Sequence, residues 1–141
     1  MVVERADASI ERDKSYMYDE LVGYPSSVFY GRTKTDVFVA AASIGYYFKE
    51  FEPIKNKQNL FVSTTLGSKM AESMWILKSI AISHEGIGVL ESTREVLNIA
   101  QDYANSGITR LYNIWKDGDD MTRDLVRLMI ESVKDFDENP V

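Results

Sequence analysis

His84 is the single histidine of a 141-residue chain that contains no cysteine. A catalytic histidine needs a nucleophile or an acidic partner within hydrogen-bond reach, and no residue spacing in the sequence marks such a partner. The pair His84-Glu85 also lacks the second histidine of a zinc-protease helix. Because His84 lies near the end of a predicted helix, the sequence favours a structural role beside the last free carbonyls of that helix.

Two short motifs resemble binding loops but depart from them at required positions. Residues 117–120 read DGDD, like the start of a calcium loop, yet Thr122 and Leu128 stand where that loop needs glycine and glutamate. Residues 86–88 read GIG but lack the third glycine and the preceding strand of a dinucleotide loop. We therefore predict no catalytic residue, no metal site and no cofactor, and interpret the protein as non-enzymatic.

The charge balance argues against direct nucleic-acid binding. There are 22 acidic and 16 basic side chains, for a net charge of -6, whereas a nucleic-acid binder usually presents a basic surface. The densest basic group spans a predicted helix and the loop after it, and we interpret it as a solvated surface: Arg32, Lys34, Lys49, Lys55 and Lys57. Contact with duplex DNA should accordingly be weak, or indirect through a partner.

The environment of the protein is predicted from what the sequence lacks. The absence of cysteine fits a reducing compartment, and the first residues carry acidic charges instead of a signal-peptide core. No apolar run approaches the ~18 residues of a membrane span. We expect a cytoplasmic protein with no membrane contact.

The elements that must position any functional residue are mostly helices. A short helix is predicted over residues 15–22, and a second over residues 35–49, capped by Thr33 or Thr35. Residues 60–65, LFVSTT, form a short predicted strand that pairs with residues near Val28. A third helix is predicted to begin after a Ser68 cap. Its inward-facing apolar stripe is formed by Met70, Met74, Leu77 and Ala81, and Trp75 and Ile80 widen this stripe.

Residues 100–115, AQDYANSGITRLYNIW, decide how many helices follow. Ser92 and Glu95 form a capping box, and the apolar positions beyond it keep helical phase across Asn-Ser-Gly: Val96, Ala100, Tyr103, Gly107, Leu111 and Ile114. A helix-turn-helix would normally shift that phase. The sequence therefore favours one continuous helix over residues 92–116, and Gly107 is expected to contact Gly45 of the second helix.

The last helix is predicted over residues 121–136, with these residues facing inward: Met121, Leu125, either Leu128 or Met129, and Phe136. Residues 1–14 and 137–141 carry little apolar content and are expected to remain loose. The sequence thus predicts a mainly α fold, a compact single-domain bundle of about four or five helices over residues 15–136, with at most one small β element.

Two stretches carry a family resemblance. Residues 36–54, DVFVAAASIGYYFKEFEPI, combine an aspartate, an apolar alanine-rich helix with glycine, and a charged segment before Pro53. Residues 99–114, IAQDYANSGITRLYNI, place Tyr103-Ala104-Asn105 before Gly107. Together with IAISHEGIGVL between them, they resemble the Dnd system-associated protein 4 family, encoded beside DNA phosphorothioation genes. The acidic N-terminus departs from the basic lead-in of that family, which argues against DNA contact from that end.

The resemblance implies an accessory role near sulfur-modified DNA and the restriction that depends on it, without supplying a reaction. The leading hypothesis is a non-enzymatic accessory or regulatory protein that binds a protein partner of such a phage-defence system, with self-association left open. The alternatives are a helical DNA-binding protein and, last, a hydrolase using carboxylates alone. Tyr103, Asn105 and Gly107 are the candidate interaction residues. Full burial of Tyr103 and Asn105 would instead make them a packing signature.

Overall fold

The longest element is the 25-residue helix α4 (Thr93–Asp117), which runs through the Asn-Ser-Gly stretch without a break. Its course is seen in a computed structural model that describes residues 6–62 and 69–138. The side chain of Ser92 caps the helix by accepting a hydrogen bond of 3.2 Å from the amide of Glu95. The predicted single helix is therefore confirmed, and the chain keeps its helical phase across Gly107.

Four further α-helices surround α4 in the described residues, so the predicted mainly α fold is confirmed. They are α1 (Ser15–Gly23), α2 (Lys34–Tyr47), α3 (Lys69–Glu85) and α5 (Met121–Glu138), with short 3-10 helices at Arg12–Lys14 and Ile87–Glu91. Thr33, one of the two predicted caps, forms a complete capping box with Asp36. The predicted Ser68 cap lies outside the described residues. No helix within the described ranges is long and apolar enough to cross a membrane.

A small antiparallel sheet differs from the sequence prediction. Strand β1 (Asp7–Glu11) pairs with β2 (Lys57–Val62), so the predicted pairing of the second strand with residues near Val28 is wrong. The expectation that residues 1–14 stay loose is also wrong from residue 6 onward. Ala8 and Ile10 are buried against the helices, and this burial offsets the entropy lost on ordering the strand. Residues 1–5 lie outside the described part.

The core lies mainly between α2 and α4, which share the most extensive contact between elements. Its largest fully buried side chains come from four helices: Tyr18, Leu21, Val37, Phe38, Leu77, Val96, Leu97, Ile108 and Leu111. On α3, Leu77, Ile80 and Ala81 face inward as predicted, but Trp75 is exposed. Trp75 and Leu77 are two positions apart, which corresponds to a rotation of about 200° around the helix axis, so the indole lies on the opposite face.

Candidate functional site

The predicted interaction residues Tyr103, Asn105 and Gly107 lie at the middle of α4 and are buried. Only 7% of Tyr103 and 4% of Asn105 is exposed. Side chains buried to this extent present almost no surface to another protein. The motif is therefore a packing signature and offers no surface to a partner.

Gly107 and Gly45 meet where α4 crosses α2, which confirms the predicted contact. A Cβ atom added to Gly107 would overlap the carbonyl oxygen of Ala41 and lie 2.9 Å from the Gly45 amide nitrogen. A Cβ atom added to Gly45 would overlap the carbonyl oxygen of Tyr103. These obstacles are backbone atoms, so a side chain at either position would push the two helices apart.

The residues that follow α2 form a strap (residues 50–56) that lies along α4. Asn105 donates from Nδ2 to the carbonyl of Glu52 at 3.0 Å and to that of Pro53 at 3.5 Å. Ser106 donates from Oγ to the carbonyl of Glu50 at 2.5 Å. The polar residues of the motif thus satisfy backbone carbonyls of an irregular segment, which has no helix or sheet in which to bond them.

The backbone amides of the strap and the side chain of Glu52 are also hydrogen-bonded. The amide of Glu52 donates to the carbonyl of Asp102 at 3.0 Å, and the amide of Ile54 donates to Asp102 Oδ1 at 3.3 Å. Lys14 Nζ lies 2.7 Å from both Glu52 Oε2 and the carbonyl of Asn105. The two stretches that carry the family resemblance are therefore the two sides of one interface, joined by the glycine contact and the strap.

Asp102 makes the stability of this interface depend on pH. Burial raises the pKa of its carboxyl above the ordinary value, against smaller lowering effects of the Ile54 amide and of Lys57. The folded state therefore binds the proton more tightly than the unfolded chain, and this group's contribution to stability falls as pH rises between the two pKa values. Asp102→Asn removes the charge and keeps an oxygen for Ile54.

We expect the stability of Asp102→Asn relative to the original chain to increase as pH is raised from about 4 to 7. The measurement is urea unfolding across this pH range. Asp119→Asn, at an exposed position between α4 and α5, is the matched control and should show no such trend. A stability difference that is constant with pH for Asp102→Asn would contradict the prediction.

Tyr103 and His84 belong to an aromatic cluster at the edge of the strap. Tyr103 Oη and His84 Nδ1 share a hydrogen bond of 2.8 Å, and Phe51 stacks on the His84 ring with centroids 4.6 Å apart. The histidine thus ties α3 to the strap and to α4, a contact that its position near a helix end does not predict. Among the described residues, no three His, Cys, Asp or Glu side chains are grouped so that they could hold a metal ion.

Two of the basic residues singled out in the sequence, Lys34 and Lys49, lie far apart. Lys34 begins α2 and Lys49 lies two residues beyond its end, about 20 Å away at 1.5 Å per residue. Lys34 lies 2.5 Å from Asp19 in an ion pair, and Lys49 stands over the Tyr46 ring. A duplex-binding surface needs several cations near neighbouring phosphates, and Lys34 and Lys49 are too far apart to act together in one.

A surface that the sequence analysis missed lies on α5. Met121 is buried and Leu125 and Leu128 are half-buried against the core. A second apolar set lies beside this inward face and is exposed at 48, 65, 51 and 60%: Val126, Met129, Ile130 and Val133, the α5 stripe. Of the two residues predicted as alternatives for the inward face, Leu128 therefore faces inward and Met129 does not. The side chain of Phe136, also predicted to face inward, lies outside the described residues.

The spacing of the α5 stripe is i, i+3, i+4, i+7, which is the pattern of one apolar helix face. It could have been found in the sequence as a second face beside the inward one. It was not distinguished there because apolar residues at helical spacing are ordinarily assigned to the core. The structure separates the two faces because only one of them meets α4 and the body of the protein.

Fold and site together define a compact, mainly α-helical domain whose sequence motif fastens an internal strap and whose last helix leaves an apolar face uncovered. The chain belongs to the family of DNA sulphur modification system-associated protein 4, whose model matches residues 9–140. The resemblance found in the sequence is thereby confirmed. Neither the curated proteins nor the solved structures contain a match to the chain.

Proposed function

We propose that the protein is a non-enzymatic accessory protein of a DNA sulphur modification system, acting in the cytoplasm by binding another protein of that system. The family links the chain to such a system. The observation that carries the binding role is the α5 stripe, four neighbouring apolar side chains that the folded chain leaves at least 48% exposed. Any effect on DNA would then be exerted through the partner, in keeping with the net charge of -6.

The α5 stripe has the size and chemistry of a helix-docking surface. Covering four half-exposed apolar side chains would contribute on the order of 4 kcal/mol from burial alone. Beside the stripe, an apolar groove of about 160 Å³ runs between α2 and α5, lined by Ser43, Ile44, Tyr47, Leu128, Met129 and Ser132. A partner helix laid along α5 would place one row of side chains on the stripe and another in this groove.

Charge along α5 indicates the chemistry of that partner. At 100° per residue, Arg123, Arg127 and Lys134 all fall on the same side of the α5 stripe and form a basic rim. In an antiparallel pair of two α5 helices, matching rims face each other, so a second copy would oppose basic rim to basic rim. An amphipathic helix with acidic residues along its edge fits better, because its charges complement the rim.

The test is co-purification of the chain with the other proteins of its modification system, produced together in one host. Met129→Asp places a charge at the centre of the stripe and should weaken capture of the partner by about tenfold or more. The melting temperature should change little, because Met129 is exposed. Ile87→Asp, at an exposed apolar residue on the 3-10 helix before α4, is the matched control and should leave capture unchanged.

Three outcomes would contradict the proposal. Capture that Met129→Asp does not weaken would remove the α5 stripe from the interface. A dimer that dissociates on Met129→Asp, seen by sedimentation in the absence of partners, would assign the stripe to self-association. Binding of the purified chain to anionic vesicles, lost in the same variant, would assign it to a membrane surface.

A further inference from the structure

A cluster of aromatic rings surrounds the ammonium group of Lys116 at the end of α4. Nζ lies 4.3 Å from the ring centre of Trp115, 5.6 Å from that of Tyr24 and 5.7 Å from that of Tyr112. A carboxylate oxygen of Glu20 completes the set at 3.5 Å. Three ring faces and one carboxylate around a single cation are the components of an aromatic cage.

The cage is assembled from separate parts of the chain and is held by bonds that do not involve Lys116. Tyr112 donates from its hydroxyl to both carboxylate oxygens of Glu20, each at 3.2 Å. Trp115 donates from Nε1 to Ser26 Oγ at 3.0 Å, and its ring packs against Tyr24 at 5.7 Å. The rings and the carboxylate therefore have contacts of their own that do not depend on the lysine side chain.

Other cations of the molecule lie over single rings. Lys78 stands over Trp75, Lys49 over Tyr46 and Arg110 over Phe48, one ring each. Lys116 is different in meeting three rings and an acid together, although 43% of its side chain is exposed to solvent. An exposed lysine side chain exchanges readily between positions, so its place in the cage is open to competition.

We infer that this cage, formed by Glu20, Tyr24, Tyr112 and Trp115, is a binding site for an alkylammonium group and that a lysine of a partner protein enters it in place of Lys116. The carboxylate favours a primary ammonium, which donates hydrogen bonds to it, over a quaternary one, which cannot. Tyr24 is half exposed, which leaves one wall of the cage open at the surface. The site is independent of the α5 stripe and of the proposed function.

Lys116 would act as a built-in competitor. Because it is tethered next to the cage, it is present at a high effective concentration, and an outside ligand must displace it. Removing its charge should therefore reveal the affinity of the empty cage. A purely structural role of Lys116 would not produce such a gain of binding on mutation.

The experiment follows the fluorescence of Trp115 during titration with n-butylammonium at constant ionic strength. All variants carry Trp75→Phe, so that Trp115 is the single remaining tryptophan. Lys116→Met should bind n-butylammonium about tenfold or more tightly than the Trp75→Phe parent. Adding Glu20→Gln to Lys116→Met should reverse the gain. Lys78→Met, which also removes one positive charge, is the control and should bind as the parent does.

Several results would overturn the inference. One is an equal affinity of Lys116→Met and the parent for n-butylammonium. Another is a gain in affinity that persists when Glu20→Gln is added. Tighter binding of tetramethylammonium than of n-butylammonium by Lys116→Met would overturn the assignment to a lysine and favour a quaternary ammonium ligand. Melting temperatures are measured for each variant, and Lys116→Gln, which keeps a polar side chain, replaces Lys116→Met if that variant fails to fold.

Discussion

Gly107→Ala should lower the free energy of unfolding by about 3 kcal/mol or more, although it adds one methyl group to a helix. The new Cβ would overlap the carbonyl oxygen of Ala41 and approach the Ala41 carbonyl carbon to 2.6 Å. This overlap can be removed only if α2 and α4 move apart, and their separation loosens the most extensive contact in the fold. Gly107→Leu should be worse, because its longer side chain meets the same backbone.

Whether Gly107→Ala stabilises or destabilises the protein tests directly for the close crossing of α2 and α4. In a helix without such a contact, replacing glycine by alanine stabilises by about 1 kcal/mol through helix propensity. Gly107→Ala and Gly45→Ala should both be destabilising in urea unfolding. Gly88→Ala, where an added Cβ would meet nothing within 4 Å, is the matched control and should change stability little. A neutral or stabilising Gly107→Ala would disprove the close crossing.

The features that the sequence predicted correctly are those that leave a signal in the local pattern of residues. Helical phase across Asn105-Ser106-Gly107 identified α4 as one helix, because a turn would have shifted the apolar positions. Thr33 was one of two predicted caps, because a hydroxyl at that position can accept a hydrogen bond from the free amides of the first helical turn. Gly45 and Gly107 were predicted to touch because a glycine on an apolar helix face costs propensity that only close packing explains.

Features set by distant residues were not predictable in the same way. Strand β1 is stabilised by β2 and by Gln101, whose side-chain carbonyl accepts from the Ser9 amide at 3.0 Å across 92 residues of sequence. The strap depends likewise on Asp102 and Asn105, which lie about 50 residues further along the chain. Neither partner leaves a local pattern in the strand or in the strap, because the hydrogen bonds exist only after the helices have packed.

The roles of Tyr103 and Asn105 illustrate the same limit. The family resemblance singled them out but did not distinguish a partner surface from an internal contact. In the structure Asn105 makes an internal contact, because its side chain donates to the carbonyls of Glu52 and Pro53. Burial, which decides between the two roles, depends on where α2 and the strap lie, and that is a property of the whole fold.

Asn105→Ala should release the strap while leaving the helices folded. The substitution removes the Nδ2 donor and leaves the carbonyls of Glu52 and Pro53 without it, at a cost of about 1 to 3 kcal/mol. Asn105 Oδ1 is itself buried without a hydrogen-bond partner in the described structure, so its removal offsets part of this loss. The net effect on the strap should therefore lie in the lower half of that range.

Amide hydrogen exchange measures this release directly. The amides of Glu52 and Ile54 donate to Asp102, so they are protected while the strap is closed. In Asn105→Ala they should exchange about five- to thirtyfold faster, as a loss of 1 to 2 kcal/mol implies, whereas amides in the middle of α2 should keep most of their protection. The matched control is Asn113→Ala, an exposed asparagine on the same helix, which should leave the strap amides unchanged.

The distribution of the change separates two roles for the motif. Faster exchange confined to the strap means that Asn105 fastens a segment which opens on its own, independently of the glycine crossing. An equal rise at every amide would mean that the strap and the α2–α4 pair unfold as one unit, and the prediction of local release would be wrong. Opening of the strap would also free Phe51 from its stack on His84, so the edge of α3 should change with the strap and not with the core.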